Sequence, residues 1–266
     1  MMTSHSLHPR TKAFCVGQAK SGTASLHGLL ATHHRSAHEP EREQTLEMIL
    51  RESRGEVEAQ NFGAYLIERD QRLNLDYDIA WANQFIIAHL LTNFPDAKFI
   101  VLIRDPHTWL QSTVGHLISR EIPHDVQSFL DWWFKPDRYP HSRHDSTLEA
   151  HGLFSIAAFL TVWNQHVNIC IQSVPPERRL VLRTHELNES HQRLSEFLQI
   201  PLDSLDPQNG HLNRSTWADR IESFVDSVYL NEMVDRICGE NMANHFPEVS
   251  GIQDVYKLWK SGVAVD

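Results

Sequence analysis

Nine consecutive residues, Gly17-Gln18-Ala19-Lys20-Ser21-Gly22-Thr23-Ala24-Ser25, have the types and order that a phosphate-binding turn requires. Gly17 and Gly22 permit a tight turn and a close backbone approach. Lys20 supplies a full positive charge, and Ser21, Thr23 and Ser25 supply hydroxyl donors. The turn follows a short, apolar, β-prone run, Ala13 to Gly17. It precedes Ser25 to Thr32, where Leu26, Leu29 and Leu30 recur at helical spacing. Amides at the start of that helix point outward, and the helix dipole adds partial positive charge to them. The order is not that of the ATP-binding P-loop, in which the lysine follows the last glycine; here Lys20 precedes Gly22. No nearby acidic residue is placed as a magnesium ligand. A serine-rich helix-capping turn has a similar composition, so the loop alone leaves both readings open.

A second candidate lies downstream. Phe99-Ile100-Val101-Leu102-Ile103 is apolar throughout, as a parallel strand covered on both faces is. Arg104-Asp105-Pro106 ends it, and Pro106 suits the first turn of a following helix. Arg104 then stands at the carboxyl end of a central strand, where open α/β sheets bind ligands. A guanidinium offers a forked donor set to a phosphate. Ser112 falls about two turns along the helix. Taken alone, the same residues read better as a helix-start ion pair and a surface serine; the phosphate-type loop upstream, in the right order, favours the ligand-binding reading.

The elements needed to position these groups alternate between strand and helix. A charged, amphipathic helix is expected over Glu41 to Arg54, with Leu46, Ile49 and Leu50 on its apolar stripe. Asp78 to Ala82 reads as a short buried strand, Phe85 to Leu91 as a helix, and Leu180-Val181-Leu182 as a further strand. Asp137 to Asp145 reads as a surface loop. Long helical patterns run over Gly152 to Val174 and from about Trp217 to Asn244, with a shorter one carrying Leu194, Phe197 and Leu198. The pattern predicts an α/β fold with three layers: a central, mostly parallel sheet with helices on both faces. With no repeat or composition break, residues 1–266 are expected to form one domain, preceded within it by a tail over residues 1–12.

Composition narrows the partners. The 266 residues carry a formal net charge of -10, which excludes a general nucleic-acid binder. An anionic ligand needs local positive charge and helix N-termini to overcome that background. Three widely spaced cysteines, Cys15, Cys170 and Cys238, argue against a disulfide framework or a structural zinc site. His33, His34 and His38 lack the cysteine or carboxylate spacing of a metal cluster. Met1 to Lys12 lacks the apolar core of a signal peptide, and no apolar stretch approaches the ~20 residues that span a bilayer. A cytoplasmic setting is expected.

The loop order Lys20-Ser21-Gly22-Thr23 resembles the 5′-phosphosulfate loop of the sulfotransferase family, which reads roughly Pro-Lys-Ser-Gly-Thr-Thr. Ala19 replaces its proline and Ala24 its second threonine. The strand ending in Arg104-Asp105-Pro106, with Ser112 eight residues after the arginine, resembles the family's second motif. Gly152-Leu153-Phe154, Trp163, Arg183-Thr184-His185-Glu186-Leu187 and Phe197-Leu198 extend the likeness over about residues 13 to 200. It is nearest to the carbohydrate-type and bacterial members, and implies a P-loop-like fold.

The resemblance implies transfer of a sulfuryl group from 3′-phosphoadenosine 5′-phosphosulfate (PAPS) to a hydroxyl or amine of a saccharide, glycolipid or small metabolite. Lys20, Ser21, Gly22, Thr23, Ala24 and Ser25 would hold the 5′-phosphosulfate, and Arg104 and Ser112 the 3′-phosphate. Arg214, in Asn213-Arg214-Ser215, matches a further donor contact. Lys20 would also stabilise the leaving oxygen. A sulfuryl group carries less charge than a phosphoryl group, so no metal is expected. Carbohydrate-type members often use a glutamate in a Lys-Glu-Pro-like sequence as base. The matching stretch here is His38-Glu39-Pro40, which makes Glu39 the candidate, with His38 and His107 as substitutes. Trp132-Trp133-Phe134 fits an acceptor pocket, a lid or the packing of a helix end. Two other functions stay open: a P-loop kinase or nucleotide hydrolase, and a nucleotide-binding relative without catalysis, which Ala24 and His38 would permit.

Overall fold

The structure, a computed structural model, describes residues 10–119, 122, 124–210 and 220–261. Five strands, β1 (Ala13–Cys15), β2 (Ser36–His38), β3 (Tyr77–Ile79), β4 (Lys98–Ile103) and β5 (Arg179–Arg183), form one parallel sheet in the order β2-β3-β1-β4-β5. The helices are α1 (Thr23–Ala31), α2 (Arg42–Ser53), α3 (Ala59–Leu73), α4 (Ile87–Asn93), α5 (Pro106–Ile118), α6 (His124–Phe134), α7 (Ser146–Ala150), α8 (Ile156–Ser173), α9 (His191–Leu198), α10 (Ser227–His245) and α11 (Ile252–Ser261). The expected α/β architecture with a parallel sheet is the one found.

The chain divides into two compact units, Met1–Ile103 with Cys170–Asn213, and Arg104–Ile169 with Arg214–Asp266. The first holds the sheet. Both faces of its central strands are covered, which is why β4 is apolar at five of its six positions. On one face Cys15, Ile100 and Leu102 pack with Leu26, Leu29 and Leu30 of α1 and with Leu182, Leu187 and Leu194. On the other, Phe14 meets Phe94 edge-on at 4.9 Å and Phe99 at 6.0 Å, with the Arg178 guanidinium 5.2 Å from the Phe99 ring. In the second unit, Phe134 stacks on Phe154 at 4.4 Å and meets Phe159 edge-on at 4.9 Å. Trp132, Trp133 and Phe134 therefore sit in an aromatic packing cluster, with Trp132 5.1 Å from Phe129.

Several boundaries differ from those expected, each for a local reason. Residues 10–12 of the segment read as a tail are held: the Arg10 and Thr11 amides donate to the Asp70 carboxylate at 2.8 and 2.9 Å, and Lys12 pairs with Asp76 at 3.0 Å. The helix expected from Gly152 starts only at Ile156, because Gly152 lies at φ +67 and Ser155 Oγ accepts from the Ala158 amide at 3.2 Å as a cap. The last long helix starts at Ser227, where Asp226 accepts from the Val228 and Tyr229 amides. β2 and α3 have no counterpart in the hydrophobic periodicity.

One polar network lies inside the first unit. Asp78 of β3 is buried and takes Arg69 Nη1 of α3 at 2.5 Å and Asn83 Nδ2 at 3.2 Å. Asn83 Nδ2 also reaches the Cys15 carbonyl at 3.2 Å, and Arg69 Nη2 donates to the Pro40 carbonyl at 2.8 Å. Removing one partner of a buried ion pair costs about 3–5 kcal/mol, because the other charge is left uncompensated. Arg69→Met is expected to lose stability on that scale in urea denaturation. The double variant Arg69→Met/Asp78→Asn should recover most of the loss. Equal losses in both would show that packing, not charge, makes the network matter.

Candidate functional site

In the first unit the site begins where β1 ends at the centre of the sheet. The Val16 amide still pairs with the Ile100 carbonyl at 3.0 Å, and the chain then leaves the sheet at Gly17. A Cβ on Gly17 would lie 2.7 Å from Leu102 Cβ and 2.6 Å from Ser21 Oγ, so only glycine lets the turn fold back onto β4. Lys20 and Gly22 adopt left-handed backbone at φ 70 and φ 100. Ser21 is buried, and its hydroxyl donates to the Gln18 carbonyl at 2.7 Å. The sequence assigned Ser21 a hydroxyl facing the ligand; in the structure that hydroxyl shapes the turn. Thr184, just after β5, adds a clamp that the motif does not reveal, with its hydroxyl 2.6 Å from the Ser21 carbonyl and 3.1 Å from that of Ile103.

α1 starts at Thr23 with Gly22 as its N-cap, and no side chain caps it. The first-turn amides and the positive end of the dipole thus carry no built-in acceptor from a cap. Lys20, Ala24 and Ser25 are half-buried around this turn, while Thr23 is buried. Thr23 Oγ1 lies 3.0 Å from His38 Nε2, which in turn lies 3.6 Å from Glu39 Oε1. A chain of polar contacts therefore runs from the start of α1 to the candidate base.

Glu39 occupies a turn that the fold holds in an unfavourable backbone conformation. Glu39 and Glu41 have φ 55 and φ 49. The Glu39 amide is pinned to the Ile79 carbonyl at 3.0 Å, Arg69 holds the Pro40 carbonyl, and Arg72 takes both Glu41 oxygens at 2.8 Å. Glu39 Oε1 accepts from the Trp81 amide at 3.1 Å, and Oε2 is buried with no hydrogen-bond partner among the described residues. Burial pushes the Glu39 carboxyl up to about 7; the Trp81 amide opposes this and the Asp78 charge adds to it. The partly exposed His38 ring is pulled down to about 4, chiefly by desolvation and secondarily by His27, so at neutral pH it is uncharged. A cleft of about 300 Å³ lined by Glu39, Glu41, Arg42, Glu43 and Gln44 opens beside the carboxylate.

In the second unit Arg104 is the residue after β4, and Asp105 caps α5 through the Thr108 amide at 3.0 Å. Arg104 Nε donates to Thr108 Oγ1 at 3.0 Å, and the Arg104 carbonyl accepts from Trp163 Nε1 at 2.8 Å. Burial lowers the Arg104 guanidinium to about 10, with Asp105 opposing the shift. Ser112 is buried one turn beyond Thr108 on the same line of the helix. His107, a substitute base in the sequence reading, is buried; its Nε2 lies 3.1 Å from Asn231 Oδ1, and burial lowers its pKa. That contact ties α5 to Asn231 of α10. Arg214 lies outside the described residues. No group of three or more His, Cys, Asp or Glu side chains among the described residues is placed to hold a metal.

The family model described as a sulfotransferase domain matches residues 12–209. The fold is similar to that of a sulfotransferase from Alicyclobacillus acidocaldarius, with a TM-score of 0.51 and 17% identity over 88% of this chain and 93% of that one. It is also similar to sulfotransferase STF9 from Mycobacterium avium, with a TM-score of 0.51 and 14% identity over 91% of this chain and 79% of that one. No curated protein sequence matches.

The burial of Glu39 has a stability signature. Its ordinary value is 4.5 and its folded value about 7, so between these pH values the folded chain binds its proton more tightly than the unfolded chain. The associated stability is present below about pH 4.5 and is lost as pH rises through about 7. Glu39→Gln keeps an acceptor for the Trp81 amide and cannot ionise. Its stability relative to wild type should therefore rise by about 3 kcal/mol from acid to pH 8 in denaturant titrations. A pH-independent difference would show that Glu39 ionises normally.

Proposed function

The chain belongs to the sulfotransferase-domain family, and on that premise we propose that it transfers a sulfuryl group from PAPS to a hydroxyl or amine of a saccharide, glycolipid or small-metabolite acceptor. The observation that carries the reading is the run of contacts from Thr23, at the uncapped start of α1, through His38 to the half-buried carboxylate of Glu39. It sets a proton acceptor beside a helix start suited to an anion.

The family motifs assign the donor's groups in this reading. Lys20 and the first-turn amides of α1 are the residues for the 5′-phosphosulfate, with Thr23, Ala24 and Ser25 on that turn. Arg104 and Ser112, which match the family's second motif, take the 3′-phosphate in this reading, and Arg214 is carried with them from the sequence. The bound donor supplies the sulfuryl group. Lys20 then stabilises the negative charge that grows on the leaving phosphate oxygen. Glu39 accepts the acceptor's proton as the new S–O or S–N bond forms, and the released electron pair stays on that phosphate oxygen. A carboxyl held near 7 suits this task, since the base must be ionised and still hold a proton well. His38, uncharged at neutral pH, hydrogen-bonds without competing for the proton. Residues 1–266 act in this reading as one functional domain in the cytoplasm, a setting consistent with the three buried, unpaired cysteines.

Calorimetry with the desulfated donor, 3′-phosphoadenosine 5′-phosphate, tests donor use. Wild type should bind it without metal, and Lys20→Ala should weaken binding about 10- to 100-fold, the scale of a lost charge-assisted hydrogen bond. Binding of ATP with magnesium in its place would overturn the reading.

The chemistry is tested by steady-state turnover with PAPS and an acceptor that supports it. The kcat/KM of wild type should rise with pH and level off above about 7 as Glu39 ionises. Glu39→Gln should lower kcat by about 10²- to 10⁴-fold, leave donor affinity unchanged and abolish that limb. An unaltered pH profile in the variant would remove Glu39 from the base role.

A further inference from the structure

The hydrogen bonds around Arg104 fix more than its place in the chain. Thr108 Oγ1 has one hydrogen to donate. Its neighbour Asp105 Oδ2, in a short hydrogen bond, is a carboxylate oxygen that can only accept, so the hydrogen goes there. The lone pairs of the same oxygen are left to accept from Arg104 Nε at 3.0 Å. Asp105 Oδ1 meanwhile caps the Thr108 amide at 3.0 Å. Asp105 and Thr108 are both buried, at 4% exposure each, so water does not compete for these contacts. The polarity of the chain is thus set in one direction: Arg104 donates to Thr108, and Thr108 donates to Asp105.

We propose that Thr108 is a positioning residue for the donor's 3′-phosphate: its hydroxyl, oriented by Asp105, holds the Arg104 guanidinium through Nε and sets the plane in which Arg104 presents its terminal nitrogens. The inference rests on the reading above that Arg104 takes that phosphate. The placement supports it. Thr108 and Ser112 lie one turn apart on the same line of α5, and Arg104, two residues before the helix begins, reaches back to that line through Nε, so the orienting hydroxyl touches one residue assigned to the ligand and neighbours the other. A guanidinium recognises a phosphate by two parallel donors, so its rotation about the side-chain axis governs affinity. Fixing Nε fixes that rotation before ligand arrives.

The test compares two ligands that differ only in the 3′-phosphate: 3′-phosphoadenosine 5′-phosphate and adenosine 5′-monophosphate. The ratio of their dissociation constants, measured by calorimetry on the full chain, isolates the phosphate that Arg104 holds. Thr108→Val keeps the shape of the side chain and removes the hydroxyl. It should shrink the ratio about tenfold while the monophosphate's affinity stays within about twofold of wild type. Thr108→Ser should restore the ratio. Asp105→Asn provides a second route should Thr108→Val not fold. It keeps the cap oxygen but presents an N–H to Thr108 Oγ1 in place of the carboxylate acceptor, which removes the contact that orients the hydroxyl, and should also shrink the ratio. An unchanged ratio in Thr108→Val, or in Asp105→Asn where that variant stands in for it, while Arg104→Ala collapses it, would overturn the positioning role alone. An unchanged ratio in Arg104→Ala would overturn the assignment of the 3′-phosphate to Arg104, and the positioning role with it.

Discussion

Arg69 is the side chain on which the sheet unit and its candidate base jointly depend. Its guanidinium lies buried between Asp78 on β3 and the carbonyl of Pro40. The first contact neutralises a carboxylate that would otherwise be stranded in the sheet. The second holds the turn that carries Glu39 in a conformation it would not adopt freely. A lysine could balance the charge of Asp78 but has no planar fork to serve two partners in different directions. The same residue thus links a folding requirement to the geometry of the site, and α3 exists in its present register to deliver it.

Charge explains how an acidic protein can favour an anion. The chain as a whole is repulsive at a formal net charge of -10. Against that background the loop brings Lys20 to the start of an uncapped helix, where backbone dipoles act without adding formal charge. Glu39 is the acidic group nearest in the polar chain, and burial keeps its proton on until about neutral pH. His38, between Thr23 and Glu39, is uncharged in the same range. The carboxylate that would repel an anionic ligand is therefore largely protonated below about pH 7.

Much of this was legible in the sequence, and the gaps have physical causes. β4 could be read because burial on both faces leaves an unbroken apolar run. The loop could be read because Gly17 and Gly22 answer steric demands that no other residue meets. α3 was hidden because its core-facing positions are Phe62, Gly63, Leu66, Arg69 and Asp70, so a stripe that is buried in the fold counts as polar in the pattern. β2 was hidden because it has three residues, Ser36, Ala37 and His38, and a single neighbour in the sheet. Glu39 was reached through the family motif, whereas its partners were not. Trp81 contributes a backbone amide, which no side-chain pattern encodes, and Thr184 approaches the loop from 163 residues away. Ser21 was assigned outward because serine is a common phosphate donor; its burial comes from the tightness of the turn that Gly17 allows.

The backbone itself points to the same place without reference to any motif. Six described residues other than glycine adopt left-handed φ: Lys20, Glu39, Glu41, Asn74, Lys135 and Gln199. Asn74, Lys135 and Gln199 directly follow the last residues of α3, α6 and α9, where a left-handed residue ends a helix at little cost. Lys20, Glu39 and Glu41 have no such origin. Each of these conformations costs on the order of 1–3 kcal/mol and persists only where surrounding contacts over-determine it. Those contacts are present: Thr184 and Gln18 bind the Lys20 turn through Ser21, and Ile79, Arg69 and Arg72 bind the Glu39 turn. A fold selected for stability alone would place glycine or asparagine at these positions. A lysine and a glutamate stand there instead, in the two turns linked through Thr23 and His38, and strain of this kind gathers at ligand-binding and catalytic sites.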